Sequence, residues 1–531
     1  MKNQVKAQIA KILQSDFVLE KPKDKSLAHY ATPYAFSFAK TLKKSPKIIA
    51  DELALKIENN EFFEVSAVNG YLNFKLKGKF LDNLANLALN LGSKFGSNQI
   101  QNPQKIYIEY ISANPTGPLH IGHVRGAVYG DVMARIASHL GNEVFTEYYI
   151  NDAGNQIDLL GVSVSLRAKE NLFNESVEYP EKYYRGEYID EIVKLALDKF
   201  GKDIFYDETR ILELANFAKD IVLDIIKKDL LDVGIFIQSW ASEKSFYNEL
   251  EPTIKRLQNS GQMYEKDGSI YIASTKRNDD SDRVVIRNDG RPTYLAGDAV
   301  YHAHKFAQNY DKYINIWGAD HHGYIARLKA LIYFLGYDDE KLEVILMQMV
   351  NLLKEGKPFK ISKRSGTSIL MSDICSEIGS DALRYIFISK SANSPLEFDI
   401  DELKKQDSSN PIFYINYAHA RINQVFTKAN KTPNEVLEAN LANLDKNAIN
   451  LLFEALLLPE VLVDAFENRA FHKISDYLKS LSASFHKFYN ENRVVGSELE
   501  NELLKLFSVV ALSIKVGLNL LGITAKDKME H

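Results

Sequence analysis

The run from Ile111 to Asp131, ISANPTGPLHIGHVRGAVYGD, limits what this chain can fold into more than any other segment. It follows KIYIEYI (105–111), a run short enough for a strand and apolar enough to be buried on both faces. Asn114-Pro115-Thr116-Gly117-Pro118 has to be a turn, because two prolines and a glycine suit neither a helix interior nor a ladder. A helix is expected to begin near Pro118, with Thr116 or Gly117 as its cap. His120 and His123 then share one face of the first turns, and Gly122 and Gly126 lack a Cβ that would keep a flat group away. Strand, tight turn and helix start together describe a phosphate-binding corner of a doubly wound parallel sheet. No cysteine or histidine cluster nearby supplies further ligands, so no metal site is expected.

The rest of the chain divides around this segment. From about 101 to 405, the buried-strand candidates VFTEYYI, KYINIW (312–317) and EVILMQM (343–349) alternate with helices, which argues for an α/β fold with a doubly wound parallel, Rossmann-type sheet. The rhythm is lost from about 155 to 285, where a helix-rich insertion with its own strand, GSIYIAS, is expected. Residues 1–100 read as a small α+β domain. It has an opening helix (Val5, Ile9, Ile12, Leu13), a helix through PYAFSFAKTL, and a hairpin turning at Asn69-Gly70. Leu72, Phe74 and Leu76 are expected to face its core, with Tyr71, Asn73 and Lys75 outward. Residues 406–531 have helical spacing throughout (Leu451, Leu452, Ala455, Leu456; Leu503, Leu504, Phe507, Ala511), an all-helical bundle.

Composition narrows the function classes. The chain of 531 residues has a formal charge of −5, which speaks against a protein that coats nucleic acid. Residues 1–100 nevertheless hold 15 lysines against 9 acids, clustered at Lys21, Lys23 and Lys25, at Lys40, Lys43, Lys44 and Lys47, and at Lys75, Lys77 and Lys79. Such clusters suit a surface that touches phosphates. A single cysteine, Cys375, excludes an internal disulfide and fits a reducing, cytoplasmic setting. LLFEALLLPEVLVDAF is broken by Glu454, Pro459 and Glu460, so no membrane association is expected there.

Ala113 to His123, through Leu119 and ending His120-Ile121-Gly122-His123, resembles the HIGH signature of class I aminoacyl-tRNA synthetases. GKPFKISKRSG, with Lys360-Ile361-Ser362-Lys363-Arg364, is similar to their lysine-rich KMSKS loop. VNGYLNFKL, YYINDAGNQI (148–157), TYLAGDAVYH (293–302), WGADHHGYIARLKA (317–330), SDALRYIF (380–387) and NPIFYINYAHARI (410–422) resemble arginyl-tRNA synthetases along the whole chain. Asp381-Ala382-Leu383-Arg384 spells the four letters that name their anticodon-binding domain.

That resemblance implies ATP, with Mg²⁺ as the nucleotide's companion and no protein site of its own, L-arginine and tRNA(Arg) as partners, and a monomer. It implies His120, His123, Lys360 and Lys363 as catalytic groups on the triphosphate, and Gly122, Gly318, Asp320, Ile361 and Ser362 at ATP. It also implies an arginine pocket of Glu109, Ser112, Asn114, Tyr294 and Asp298, with His321 nearby. A guanidinium needs carboxylates placed for forked hydrogen bonds, and Glu109 interrupts an otherwise apolar strand. Tyr414, Asn416, His419 and Arg421 have the residue types that read unpaired bases, although Phe413 and Tyr417 at the same spacing also suit a core. Arginine would attack the α-phosphate of ATP to give the adenylate and pyrophosphate, with tRNA needed for this step, and the arginyl group would pass to the terminal adenosine. An unfilled fork would reject lysine without editing, so the insertion is not expected to edit. Small nucleotidylyltransferases share such helix starts but need no helical bundle or basic N-terminal domain; a non-catalytic tRNA-binding relative would not need His120, His123, Lys360 and Lys363.

Overall fold

The computed structural model describes residues 1–22, 28–58, 60–359 and 368–529. Its centre is a five-stranded parallel sheet of β1 (Lys105–Glu109), β2 (Glu143–Ile150), β3 (Ser239–Ser242), β4 (Lys312–Gly318) and β5 (Leu342–Met347), in the spatial order β3-β2-β1-β4-β5. Ile106, Tyr107 and Ile108 are buried because helices cover the sheet, and they form the both-faces-apolar strand that a crossover sheet requires. The helix Ile121–His139 joins β1 to β2, and Ile325–Phe334 joins β4 to β5. The strand order reverses between β1 and β4, and the crevice beyond the carboxyl ends of such strands is where ligands bind. Gly130 is required here: a Cβ on it would lie 2.4 Å from the Tyr110 ring, so only glycine lets the helix approach the end of β1.

The insertion expected at 155–285 is not continuous. Helices Asn155–Phe173, Glu187–Phe200 and Ile211–Asp232 leave the sheet after β2, but the chain returns as β3 before a three-stranded antiparallel sheet (Met263–Lys266, Ser269–Ile272, Arg283–Ile286). β3 is four residues, SWAS, at the sheet's edge, and carries none of the apolar pattern of a central strand.

In the N-terminal domain the strands Phe63–Val68 and Tyr71–Leu76 pair through a two-residue turn, with φ of 52° at Asn69 and 86° at Gly70. Leu72, Phe74 and Leu76 are buried as expected. Asn73, on the face opposite Leu72, Phe74 and Leu76, is nevertheless buried, in the central strand of the sheet between Ala31 and Ser66. The helix expected through PYAFSFAKTL is a 3₁₀ segment, Tyr34–Phe38, running into one α-turn, Ala39–Leu42.

The C-terminal residues fold as helices Pro411–Ala429, Lys446–Ala455, Leu458–Glu467, His472–Glu491 and Glu500–Leu520. The last is long and apolar enough to cross a membrane, but 78% of its apolar window is buried in the bundle, where it serves as a core helix. Arg384 joins the parts. It is 1% exposed and donates to the carbonyls of Leu521 (2.8 Å) and Val233 (2.9 Å) and to the Asp131 carboxylate. It thus links the bundle, the insertion and the helix that follows β1. A Cβ on Gly522 would lie 2.2 Å from the Arg384 guanidinium, which leaves no other residue for that turn. Arg384→Met leaves the buried Asp131 with Arg135 as its remaining cation and takes a buried donor from the Leu521 and Val233 carbonyls, a loss of about 1–3 kcal/mol for each acceptor left unpaired. The urea midpoint should fall sharply, and an unchanged midpoint would contradict the clamp.

Candidate active site

β1 ends abruptly at Glu109. Ile111 and Ser112 follow with φ of 75° and 39°, a conformation that costs a β-branched residue about 1–3 kcal/mol and is held only by its surroundings. The surroundings are explicit: the Ser112 hydroxyl donates to Glu109 Oε1 (3.0 Å) and accepts from the Tyr149 amide (3.1 Å). The turn beyond is clamped through its carbonyls, Ala113 by the Tyr148 hydroxyl (2.7 Å) and Thr116 by the Tyr188 hydroxyl (2.9 Å).

The helix begins at Ile121, later than expected, and its cap is His120 rather than Thr116 or Gly117. The Gly122 amide donates to His120 Nδ1 (3.1 Å), and the His120 amide donates to His123 Nδ1 (3.3 Å). These two bonds fix both tautomers, so each Nε2 carries the proton and serves as a neutral donor. The rings lie 3.8 Å apart. Burial pushes the His120 pKa down, and burial followed by the charge of His120 takes His123 to about 3. At neutral pH the pair therefore offers N–H groups without net charge.

Leu119–Ile121 is bridged by backbone to the chain that emerges after residue 367. The Ile121 amide donates to the Ile369 carbonyl (2.9 Å), the Met371 amide donates to the Leu119 carbonyl (2.9 Å), and His120 bridges Leu370. Lys360, Ile361, Ser362 and Lys363 lie outside the described residues. The described chain on their carboxyl side nevertheless abuts the histidines: Ser368 and Leu370 share a cavity of about 260 Å³ with His120, His123, Asn114, Thr116, Gly117 and Pro118.

A larger cavity, about 700 Å³, opens beside it. Glu109, Ser112, Ala113, Asn114, His120, Gly122, His123, Tyr294, Asp298, Gly318, Asp320 and His321 all line it, so every described residue expected at ATP or arginine meets there. Its floor is acidic. Glu109 is 6% exposed and accepts from Lys305 Nζ at 2.9 Å. Burial alone would raise the Glu109 pKa, but the Lys305 charge, with the hydrogen bonds from Lys305 and Ser112, more than offsets that and holds it below the usual range. Asp298 accepts from the Tyr324 hydroxyl. Burial, with the Glu109 charge, raises Asp298 to about 6. A third acid, Glu243, follows β3 and lines the same wall; burial and then the Asp298 charge raise it to about 7. Nothing in the sequence marked Glu243, because the strand that presents it was itself illegible.

Family models match the chain in three consecutive pieces. The arginyl tRNA synthetase N-terminal domain matches residues 1–76, the class I (R) tRNA synthetase catalytic domain 85–427, and the DALR anticodon-binding domain 415–529. The chain belongs to the arginyl-tRNA synthetases. It is 75% identical to the arginine–tRNA ligase of Campylobacter fetus subsp. fetus, with all of both chains covered. A solved Campylobacter jejuni arginyl-tRNA synthetase is 57% identical, with a TM-score of 0.83 over 86% of this chain and 100% of that one. The Thermus thermophilus arginyl-tRNA synthetase, at 21% identity and full coverage of both, shares the fold with a TM-score of 0.76.

Arginyl-tRNA synthetases act on tRNA, and two of the residues expected to contact it are not at the surface. Asn416 and His419 are 2% and 3% exposed, and both bond the backbone of Lys526, so they fix the C-terminal segment against the bundle and present nothing to a base. The periodicity that placed four polar and aromatic residues on one helix could not tell its inner face from its outer. Tyr414 and Arg421 are half-buried; Arg421 lies over the Tyr417 ring at 4.7 Å. The DALR tetrapeptide itself lies ahead of the matched anticodon-binding segment, and its arginine is the buried clamp.

The raised acids predict a pH effect. Both carboxyls take up protons as pH falls through about 7 and about 6, while a guanidinium stays charged, so a guanidinium bound against this wall would need them ionised. KM for arginine should therefore rise as pH is lowered across that window, and Glu243→Gln should remove the upper step. A flat KM profile would show that neither acid meets the substrate.

Proposed function

We propose that arginine and ATP meet in the larger cavity, with Glu109 and Asp298 on the guanidinium, Tyr294 along the side chain, and Ser112 and Asn114 at the α-amino end. Gly318 and Asp320 take the ribose side, Gly122 lies under the nucleotide, and His321 stands near the arginine. The chain is an ATP-dependent arginine–tRNA ligase. The observation that carries the site assignment is the backbone bridge of Leu119–Ile121 to Ile369–Met371, which sets the imidazole pair beside the exit of the lysine-rich segment.

A free α-carboxylate has a pKa of about 3.5, so arginine arrives ionised and no general base is needed. One carboxylate oxygen attacks the α-phosphorus, a P–O bond forms, and the bond to pyrophosphate breaks. His120 and His123 donate Nε2–H to developing phosphate charge, and Lys360 and Lys363 bring the cations. Mg²⁺ accompanies the triphosphate and supplies further charge neutralisation there. The terminal adenosine hydroxyl of tRNA, the 2′ group by class, then attacks the acyl carbon and AMP leaves.

The proposed division of labour is an N-terminal domain (1–100) on the tRNA elbow, a catalytic domain (101–405), and an anticodon-binding bundle (406–531) using Tyr414 and Arg421. The protein is read as a cytoplasmic monomer that needs tRNA for arginine activation, and its insertion does not edit. ATP–pyrophosphate exchange tests this directly. Exchange should depend on arginine and on tRNA(Arg), and His120→Asn or His123→Asn should lower kcat by about 10²–10³. No exchange with cognate tRNA present would overturn the reading.

A further inference from the structure

Under the floor of the cavity runs a chain of hydrogen bonds that the reaction as described does not use. Lys305, on the helix Tyr294–Ala307, has no exposed surface. Its ammonium donates to Glu109 Oε2 (2.9 Å) and Asn315 Oδ1 (2.8 Å) and lies 5.1 and 4.9 Å from the centres of the Tyr107 and Tyr301 rings. Asn315 in turn meets His302 Nε2 (3.1 Å), whose Nδ1–H is held by the Asp298 carbonyl (2.9 Å). Lys305 is not among the residues that line the cavity, so it does not touch substrate.

We propose that Lys305 is a positioning residue for arginine recognition: it holds Glu109 ionised and in one orientation, so that a carboxylate, not a carboxylic acid, meets the guanidinium. This rests on the assignment of Glu109 to the guanidinium made above.

Glu109 sits among like charges. In the sheet register it lies between Glu147 on β2 and Asn315 on β4. Glu147 is already engaged by the hydroxyls of Tyr107, Tyr301 (2.8 Å) and Ser239 (2.8 Å) and offers Glu109 no relief. Asp298 faces it from the same helix as Lys305, and Glu243 and Tyr149 complete the wall. His302 is neutral, held to about 3 by burial and then by Lys305. Arg327 bears on Asp298, and Lys305 is the cation in contact with Glu109 among the described residues. Removing it would leave Glu109 to take a proton, since a buried carboxylate without a counterion neutralises. Lys305 and Ser112 use one acceptor site on each Glu109 oxygen, and each oxygen keeps a second for a guanidinium N–H. With arginine bound, Glu109 and Asp298 balance Lys305 and the substrate.

The test uses the full-length enzyme with tRNA(Arg) and three variants: Lys305→Met, Glu109→Gln and the two combined. Lys305→Met should raise KM for arginine about tenfold to a hundredfold at neutral pH. That increase should shrink as pH is raised and Glu109 ionises, with KM for ATP unchanged. The combined variant, which removes both buried charges and so keeps the fold even if Lys305→Met does not, should match Glu109→Gln alone in KM and in pH profile. A combined variant with KM far above Glu109→Gln, or a Lys305→Met KM that is unchanged or raised equally at every pH together with that for ATP, overturns the proposal. An unchanged KM in Glu109→Gln would instead overturn the assignment of Glu109.

Discussion

A short piece of antiparallel backbone pairing, Leu119–Ile121 against Ile369–Met371, is the constraint on which the rest of the site depends. Side chains can drift, but this bridge ties a helix start to the exit of the lysine-rich segment through main-chain groups that only a proline at Ile121 or Met371 would remove. Two buried arginines keep the helix from swinging away. Arg125 grips the carbonyls of Gln348 (2.9 Å) and Ser391 (2.8 Å), and Arg384 grips Asp131 one helical turn beyond Ala127. Arg125 thus holds chain on either side of residues 360–367, and Arg384 ties the helix to the chain on their carboxyl side. Closing a loop of that size adds little entropy cost per extra residue, which is how the insertions before β3 and β4 are accommodated without loosening the corner.

The site separates two kinds of charge. ATP is an anion and arginine a cation, and a single cavity of uniform sign would repel one of them. Acids come from β1, the helix Tyr294–Ala307 and the segment after β3, and they gather at the floor; the mouth is built from helix-start amides and two uncharged imidazoles. Because the histidines are neutral when empty, they cost little to bury and still donate. Under the proposed function, full positive charge at the phosphates falls to Lys360 and Lys363. The acidic floor carries its own counterion in Lys305, so the sheet does not have to bury a net charge of several units.

Local signals were legible and remote ones were not. Asn69-Gly70 dictated its turn because both residues tolerate positive φ, and the strand–turn–helix corner followed from prolines and glycines within one segment. The helix cap was misplaced because histidine is not a usual capping residue, and only the reciprocal bonds of His120 and His123 reveal it. β3 escaped notice as a four-residue edge strand, and the burial of Asn73 could not be read because its strand is made central by one some forty residues earlier in the chain. Lys305 could not have been read at all, since its partner Glu109 lies 196 residues away and a lysine on a helix is by default a solvated one.

The overall negative charge and the basic N-terminal domain are compatible because that domain is docked, not tethered. Lys505, 1% exposed, pairs with Asp82 (3.0 Å), which also accepts the Leu441 amide (3.0 Å). His29 stacks on Phe453 at 3.9 Å, and Tyr30 donates to Glu460. The N-terminal domain and the bundle are therefore pinned together, with Asp82 bonded to both Lys505 and Leu441 of the bundle. Lys44, Lys75 and Lys79 are paired with Glu52, Glu64 and Glu61, and among the described residues of the clusters Lys40, Lys43 and Lys47 are exposed outside those pairs. Surface pairs of that kind are worth little and exchange readily for a polyanion. Under the proposed function, a small basic patch on a docked domain would orient tRNA, while the acidity of the remaining chain would discourage it from binding elsewhere.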